Sequence, residues 1–222
     1  MIPSYTHIVN PKLKYIYLSF DRSGQLIIKS PRVTQNEIER ILIKKAKWIE
    51  ASRDKISQKR GKPLKGNSGE KISYLGEEYG VSYIDKYGDR GHISFTKESG
   101  FEICKRGLDM ESINRDIDEF YRDRAKSYLP AIVDKYSEKM GLYPAKVSFR
   151  KAKRQWGSCS SKNAISLNYL MMKLPANAIE YIVVHELAHI RYKHHQESFW
   201  RLVASHMPDY KIRQKELKAY TL

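Results

Sequence analysis

One stretch limits what this chain can become: Tyr181-Ile-Val-Val-His185-Glu186-Leu-Ala-His189-Ile-Arg-Tyr-Lys-His194-His195. Ile182, Val183, Leu187, Ala188 and Ile190 make it apolar enough for a buried helix, yet two histidines and a glutamate interrupt it. A buried helix carries such groups only where something satisfies them. Four residues advance a helix by slightly more than one turn, so His185 and His189 share a face and their nitrogens converge. A metal ion at that point satisfies both, and Glu186 then reaches a water held there. His-Glu-x-x-His on a helix is the arrangement of a zinc hydrolase, in which the ion acidifies water and the carboxylate takes its proton.

A catalytic zinc keeps three protein ligands and leaves one position open. His195, ten residues after His185, is the third ligand that spacing favours, with His194 as its competitor. No glycine stands at the bend between helix and third ligand. Tyr192 occupies that place, so the helix is expected to run one further turn, to about Lys193, before the chain doubles back.

Charge narrows the partners less sharply. With 41 Lys and Arg against 25 Asp and Glu, the net charge is +16. Such a field attracts anions, nucleic acid and anionic small molecules among them, although a solvated basic surface explains it equally well. Cys104 and Cys159 form no C-x-x-C pair, which argues against a disulfide framework or a cysteine zinc site and for a reducing cytoplasm. No uninterrupted apolar run approaches the ~18 residues of a membrane span, and no signal-peptide core follows Met1, so a soluble protein without a membrane partner is expected.

The rest of the chain reads as α+β. Ile16, Leu18 and Phe20 alternate with polar neighbours, and Asp21 to Gly24 supplies a turn before Leu26-Ile-Ile28, which predicts a β-hairpin. Thr34 and Glu37 have capping-box spacing ahead of one helix reaching about Ser52, with Ile38, Ile41, Leu42, Trp48 and Ile49 on one face. Asp54 to Glu70, with five cations from Lys55 to Lys65, predicts an exposed basic loop. Short β-like pieces from Ile72 to Cys104, with turns at Gly76, Gly88-Asp89 and Ser99-Gly100, predict a meander of hairpins. From Asp109 the period turns helical until Pro130 kinks or restarts the helix, and Gly141 ends it. Lys146–Phe149 and Ala164–Asn168 read as strands, and Pro175 opens the metal-binding helix. Short helices follow around Phe199 to Val203 and from Pro208 toward Leu217. The expected division is a β-rich region with one long helix over residues 1–105 and a catalytic domain over 106–222. No internal repeat is visible.

Between the two catalytic-half strands lies Lys153-Arg-Gln-Trp156-Gly157-Ser158-Cys159-Ser160. Trp156, Gly157 and Cys159 have the character of packing and turn residues. Arg150, Lys153 and Arg154 are candidates to hold substrate charge. Together, Trp156-Gly-Ser-Cys-Ser160, Ile165-Ser-Leu-Asn168, His185-Glu-Leu-Ala-His189, His195, Phe199-Trp200 and Pro208-Asp-Tyr210 resemble the YgjP-like metallopeptidase family. The Trp48-Ile49 helix and Tyr74-Leu-Gly-Glu-Glu-Tyr79 extend the similarity through the N-terminal half. That resemblance implies a zincin-like fold, one zinc ion on His185, His189 and His195, and Glu186 as general base. An arginine often precedes the tryptophan in the family, where this chain has Gln155. Peptide hydrolysis is the first reading. Metal-dependent hydrolysis of a nucleoside triphosphate and proteolysis of DNA-bound proteins are the alternatives, because the motif defines activated water better than the bond attacked. For peptide capture, Ala164–Asn168 is expected to be an edge strand.

Overall fold

The computed structural model describes residues 3–21, 24–57, 64–66, 69–84, 93–104 and 109–220. Residues 58–63 and 67–68 of the expected basic loop, the Gly88-Asp89 turn and His92 lie outside them, and residues 54–57, expected in that loop, are helical instead. Contacts divide the chain into two compact units, Met1–Lys62 and Pro63–Tyr220.

In the first unit, β1 (Tyr5–Val9), β2 (Tyr17–Phe20) and β3 (Leu26–Ser30) form a sheet in the order β1-β3-β2. β3 runs parallel to β1 and forms the expected antiparallel hairpin with β2. α1 (Gln35–Lys44) starts in a reciprocal box: the Glu37 N–H donates to Thr34 Oγ1, and the Thr34 N–H donates to Glu37 Oε2 at 2.8 Å. The single helix expected to Ser52 is instead two. Lys45 departs from helical geometry at φ −102°, ψ 8°, and α2 (Ala46–Ser57) begins beyond it. Ile49 is buried with Ile38, Leu42, Leu26 and Ile28, while Trp48 stays half exposed against Phe20.

The second unit opens with β4 (Lys71–Tyr74), β5 (Glu77–Ile84), β6 (Ile93–Thr96) and β7 (Gly100–Cys104), in the order β4-β5-β7-β6. This corrects the expected meander, for β5 and β7 are parallel and β6 folds back onto the outer edge. The cause lies in β7: Phe101, Ile103 and Cys104 are almost wholly buried, so this strand belongs inside the sheet. α3 (Met110–Met140) is capped by Asp109, ends at left-handed Gly141 and passes through Pro130 without a break. Leu129, Ile132 and Val133, all buried, hold both sides of the proline in place.

β8 (Lys146–Arg150), β9 (Gly157–Cys159) and β10 (Ala164–Asn168) follow in the order β8-β10-β9. The expected edge strand is therefore the central one, paired parallel with β8 and antiparallel with β9. Ile165 and Leu167, at 2% and 0% exposure, explain why: their face is core. A buried 3-10 turn, Tyr169–Lys173, leads to α4 (Ala176–Arg191), α5 (Glu197–His206) and α6 (Tyr210–Leu217).

The expected division at residue 105 falls inside the second unit. Ile72, Phe101 and Ile103 share one core with α3, α4 and α5. Leu64 joins it too, anchored where an exposed loop was expected: its N–H donates to Asn114 Oδ1, and Asn114 Nδ2 donates to its carbonyl, both at 3.0 Å. The architecture is α+β, and among the described residues no helix is long and apolar enough to cross a membrane.

Candidate active site

α4 is apolar on most of its circumference, with Ile179, Ile182, Val183, Val184, Leu187 and Ala188 buried, as befits a helix enclosed by others. On its remaining face stand His185 and His189. Helix α4 stops at Arg191, two residues short of the expected end near Lys193, because Tyr192 adopts extended geometry at φ −126°, ψ 109°. The reversal thus needs no left-handed residue and no glycine. It also turns the Tyr192 carbonyl toward His189, whose Nδ1 lies 2.8 Å away. Nδ1–H donates to that carbonyl, which leaves Nε2 with its lone pair free.

The returning chain brings in His195. Its Nε2 lies 3.0 Å from Nε2 of His185, and one nitrogen from each of His185, His189 and His195 falls within 4.8 Å of the others. His194 does not join them; its Nδ1 faces the Gln196 N–H at 3.3 Å. The fully buried Phe199 ring contacts all three imidazoles, with centroids 4.6 to 4.9 Å away. Trp200 fixes His195 twice, by donating Nε1–H to its carbonyl at 2.9 Å and by stacking on its ring. Tyr210 stacks on the other neighbour of this ladder, the Trp200 indole.

Two lone-pair nitrogens at 3.0 Å repel unless a proton or a cation lies between them. Burial, then the neighbouring His189 and His195, push the His185 pKa down to about 3, so His185 carries no positive charge at neutral pH. His189 is lowered as well, by burial first, with the Tyr192 hydrogen bond opposing and His195, Lys193 and His194 adding to the fall. Three imidazoles with converging nitrogens fit a borderline-soft divalent cation.

Glu186 points the other way round the helix from bulk water, at 6% exposure. It accepts no hydrogen bond from a described residue, and burial alone raises its pKa to about 7. Its carboxyl lies against β9: a Cβ added to Gly157 would meet Glu186 Cγ and Oε1 at 2.6 Å and Cδ at 2.8 Å. Gly157 is therefore a packing residue, as its sequence context suggests, but what it makes room for is the carboxyl. Gly157 and Cys159, read as packing and turn residues, lie on this short strand, and Trp156 and Cys159 are half-buried.

Of the candidate cations, Arg150 is engaged by β9 and β10. Arg150 donates from Nε to Ser166 Oγ at 2.6 Å and from Nη2 to Ser158 Oγ at 3.3 Å. Ser158 and Ser166 face away from Ile165 and Leu167, so Arg150 lies on the sheet face opposite α4. Lys153 and Arg154 are exposed on the connection from β8 to β9. Lys151, next to Arg150, is paired with Asp118. Lys193 went unnoticed in the sequence: it donates to Ser160 O at 2.8 Å and Asn163 Oδ1 at 2.7 Å, tying the β9–β10 turn to the segment bearing His195. Asn168 was missed likewise, and its side chain donates to the Ala152 and Gln155 carbonyls ahead of β9. Only its place in a recurring motif distinguished it.

The model of the YgjP-like metallopeptidase domain matches residues 14–220. The chain belongs to the YgjP-like family. As a YgjP-like chain it is a metallopeptidase-type hydrolase with a metal ion, and peptide is its class of substrate. Solved structures similar to it include the metallopeptidase zymogen abylysin of Pyrococcus abyssi, 25% identical, covering 42% of this chain and 98% of that one at a TM-score of 0.37. Jannalysin, the metallopeptidase zymogen of Methanocaldococcus jannaschii, is 21% identical over 39% of this chain and 94% of that one, at 0.33. Among curated proteins, none matches the YgjP-like chain.

Proposed function

We propose that the chain is a zinc peptidase in which His185, His189 and His195 hold the ion and Glu186 is the general base. The observation that carries this reading is the convergence of three imidazole nitrogens, with a buried carboxyl on the residue after His185 that no described residue satisfies. A bound zinc ion would supply Lewis acidity, polarising the scissile carbonyl, acidifying a water and favouring the ionised form of Glu186. Glu186 accepts the proton of the attacking water and later gives it to the departing amine. Its carboxyl sits in the space left by the missing side chain of Gly157, away from bulk water. β9 rather than β10 is the strand with an unpaired edge beside this carboxyl, and that edge can take an extended peptide as an added strand. Arg150 plays no part in this reading. Cys104 and Cys159, neither of them in a disulfide, agree with a cytoplasmic setting.

The test pairs metal content with cleavage. Purified chain should carry one zinc, lose it to a chelator, and cut an unfolded protein only when zinc is restored. Hydrolysis of nucleoside triphosphates by the zinc-loaded chain, with no cut in any unfolded protein, would replace this reading by the phosphoanhydride one.

A further inference from the structure

The first unit holds fourteen Lys and Arg against five Asp and Glu, a net +9 of the chain's +16 within 62 of its 222 residues. Part of that charge is gathered at one end of its sheet. β1 and β3 run parallel and finish side by side at Val9 and Ser30, and β2 starts at Tyr17, opposite Lys29. Residues 10–16 must therefore cross the sheet at that end, and they carry Lys12, Lys14 and Tyr15, all exposed. Lys29 near the end of β3 and Arg32 just beyond it add two more exposed cations. No acid precedes Asp21, which lies in the β2–β3 turn at the opposite end. None of these four cations makes an ion pair with a described residue.

Aromatic rings stand among the charges. The register sets Ile8, Lys29 and Tyr17 in a row on the outer face of the sheet, away from Leu26 and Ile28. Tyr17 is 49% exposed and Tyr15 70%. An acidic peptide would answer the cations and leave the rings in water. A nucleic-acid strand answers both, because each phosphate takes a cation and each unpaired base offers a flat face to a ring. We propose that this end of the first unit binds single-stranded nucleic acid, with Lys12, Lys14, Lys29 and Arg32 on phosphates and Tyr15 and Tyr17 stacked on bases. The sequence holds two other basic stretches, the loop of Lys55 to Lys65 and Arg150 through Arg154, and in the second Lys151 is paired with Asp118.

The experiment is fluorescence anisotropy of the whole chain with labelled single-stranded RNA, single-stranded DNA and duplex DNA, at stepped salt. Single strands of one or both kinds should bind, with a log-log salt slope of about −3 for four phosphate contacts. Tyr15→Ser with Tyr17→Ser should weaken binding about tenfold or more, and Lys29→Glu should flatten the slope. Should the serine pair unfold by circular dichroism, Tyr15→Leu with Tyr17→Leu keeps apolar contact while removing both rings. Wild-type affinity in a folded ring variant would overturn the proposal, leaving only a polyanion effect. So would duplex bound as tightly as single strands, or binding to phosphatidylserine vesicles with none to oligonucleotides. Metal content and peptide cleavage are read separately, so failure here leaves the zinc reading untouched.

Discussion

The sheets β1-β3-β2 and β8-β10-β9 have the same strand order and directions: the third strand in sequence is central, parallel to the first and antiparallel to the second. Each is followed by helix, yet only one borders the candidate site. In the first sheet the core is filled by Leu26 and Ile28 against Ile38, Leu42 and Ile49, a closed set of aliphatic contacts. In the second, Ile165 and Leu167 fill the same central positions, but the neighbouring strand begins with Gly157, and a carboxyl occupies the space a side chain would take. Topology positions the helix. A single missing side chain converts a packing contact into a chemical one.

The comparison breaks most visibly at Glu186. Replacing it by Gln keeps shape and removes the base, so the rate of peptide cleavage should fall about a thousandfold while metal content stays at one ion, as mass spectrometry would show. A variant that still cuts at wild-type rate would reduce the second sheet to scaffolding like the first. Gly157→Ala should follow, since its Cβ would sit 2.6 Å from Glu186 Oε1 and force the carboxyl aside. Displacement on this scale is worth about a hundredfold in kcat. The matching change in the first sheet, Leu18→Ala on the strand equivalent to β9, should instead lower stability by on the order of 1 kcal/mol and leave kcat alone. Similar kinetics in the two variants would dissolve the distinction.

Much of this contrast was legible in the sequence, though unevenly. The periods of 2 and 3.6 disclosed where strands and helices lie, and His185, Glu186 and His189 announced themselves because polar groups in an apolar helix demand a reason. Strand order was not legible, since Ala164–Asn168 reads the same at an edge or in the middle. The hidden quantity was the partner on each side. Lys45 and Tyr192 were misread for a related reason: both leave helical geometry without glycine or proline, driven by what their neighbours bury or bind. Gly157 looked like a turn residue because a sequence cannot reveal which atom fills the space beside a glycine.

A smaller effect is expected at Trp200, whose hydrogen bond and stacking hold His195 in a way no described residue of the first unit parallels. Trp200→Leu should weaken zinc about tenfold in competition with a chromophoric chelator, the usual scale for losing a group that orients a ligand. Unchanged affinity would mean that the backbone alone places His195, or that His195 is no ligand.

The smallest effect separates two carboxylates that both hold their protons less tightly than free glutamate, one in each unit. Glu37 is exposed, and the Thr34 backbone and hydroxyl hydrogen bonds lower its pKa. Glu180 is half-buried on α4. Burial pushes its pKa up, but hydrogen bonds from Lys135, Arg213 and Tyr136 outweigh this, and the net shift is below the ordinary value of about 4.5. Lys135 and Tyr136 reach it from α3 and Arg213 from α6, where Asp209 shares the guanidinium. In both cases the unfolded chain binds more protons than the folded one between the two pKa values, so stability rises with pH across that window. The contribution is complete above the unfolded value and vanishes as pH falls through the folded one. What differs is the number of elements joined: Glu37 ties one helix to its own cap, whereas Glu180 joins three helices around the unit that bears the site. Glu180→Gln should therefore lower the melting temperature at pH 7 by a few degrees, on the scale of about 1 kcal/mol for a domain of this size. That deficit should begin to shrink as the pH falls through 4.5 and close only below the lowered folded-state pKa, where the wild-type carboxylate is itself protonated in the folded chain. A deficit that persists unchanged at low pH would show that packing, not the charge on Glu180, holds α3, α4 and α6 together.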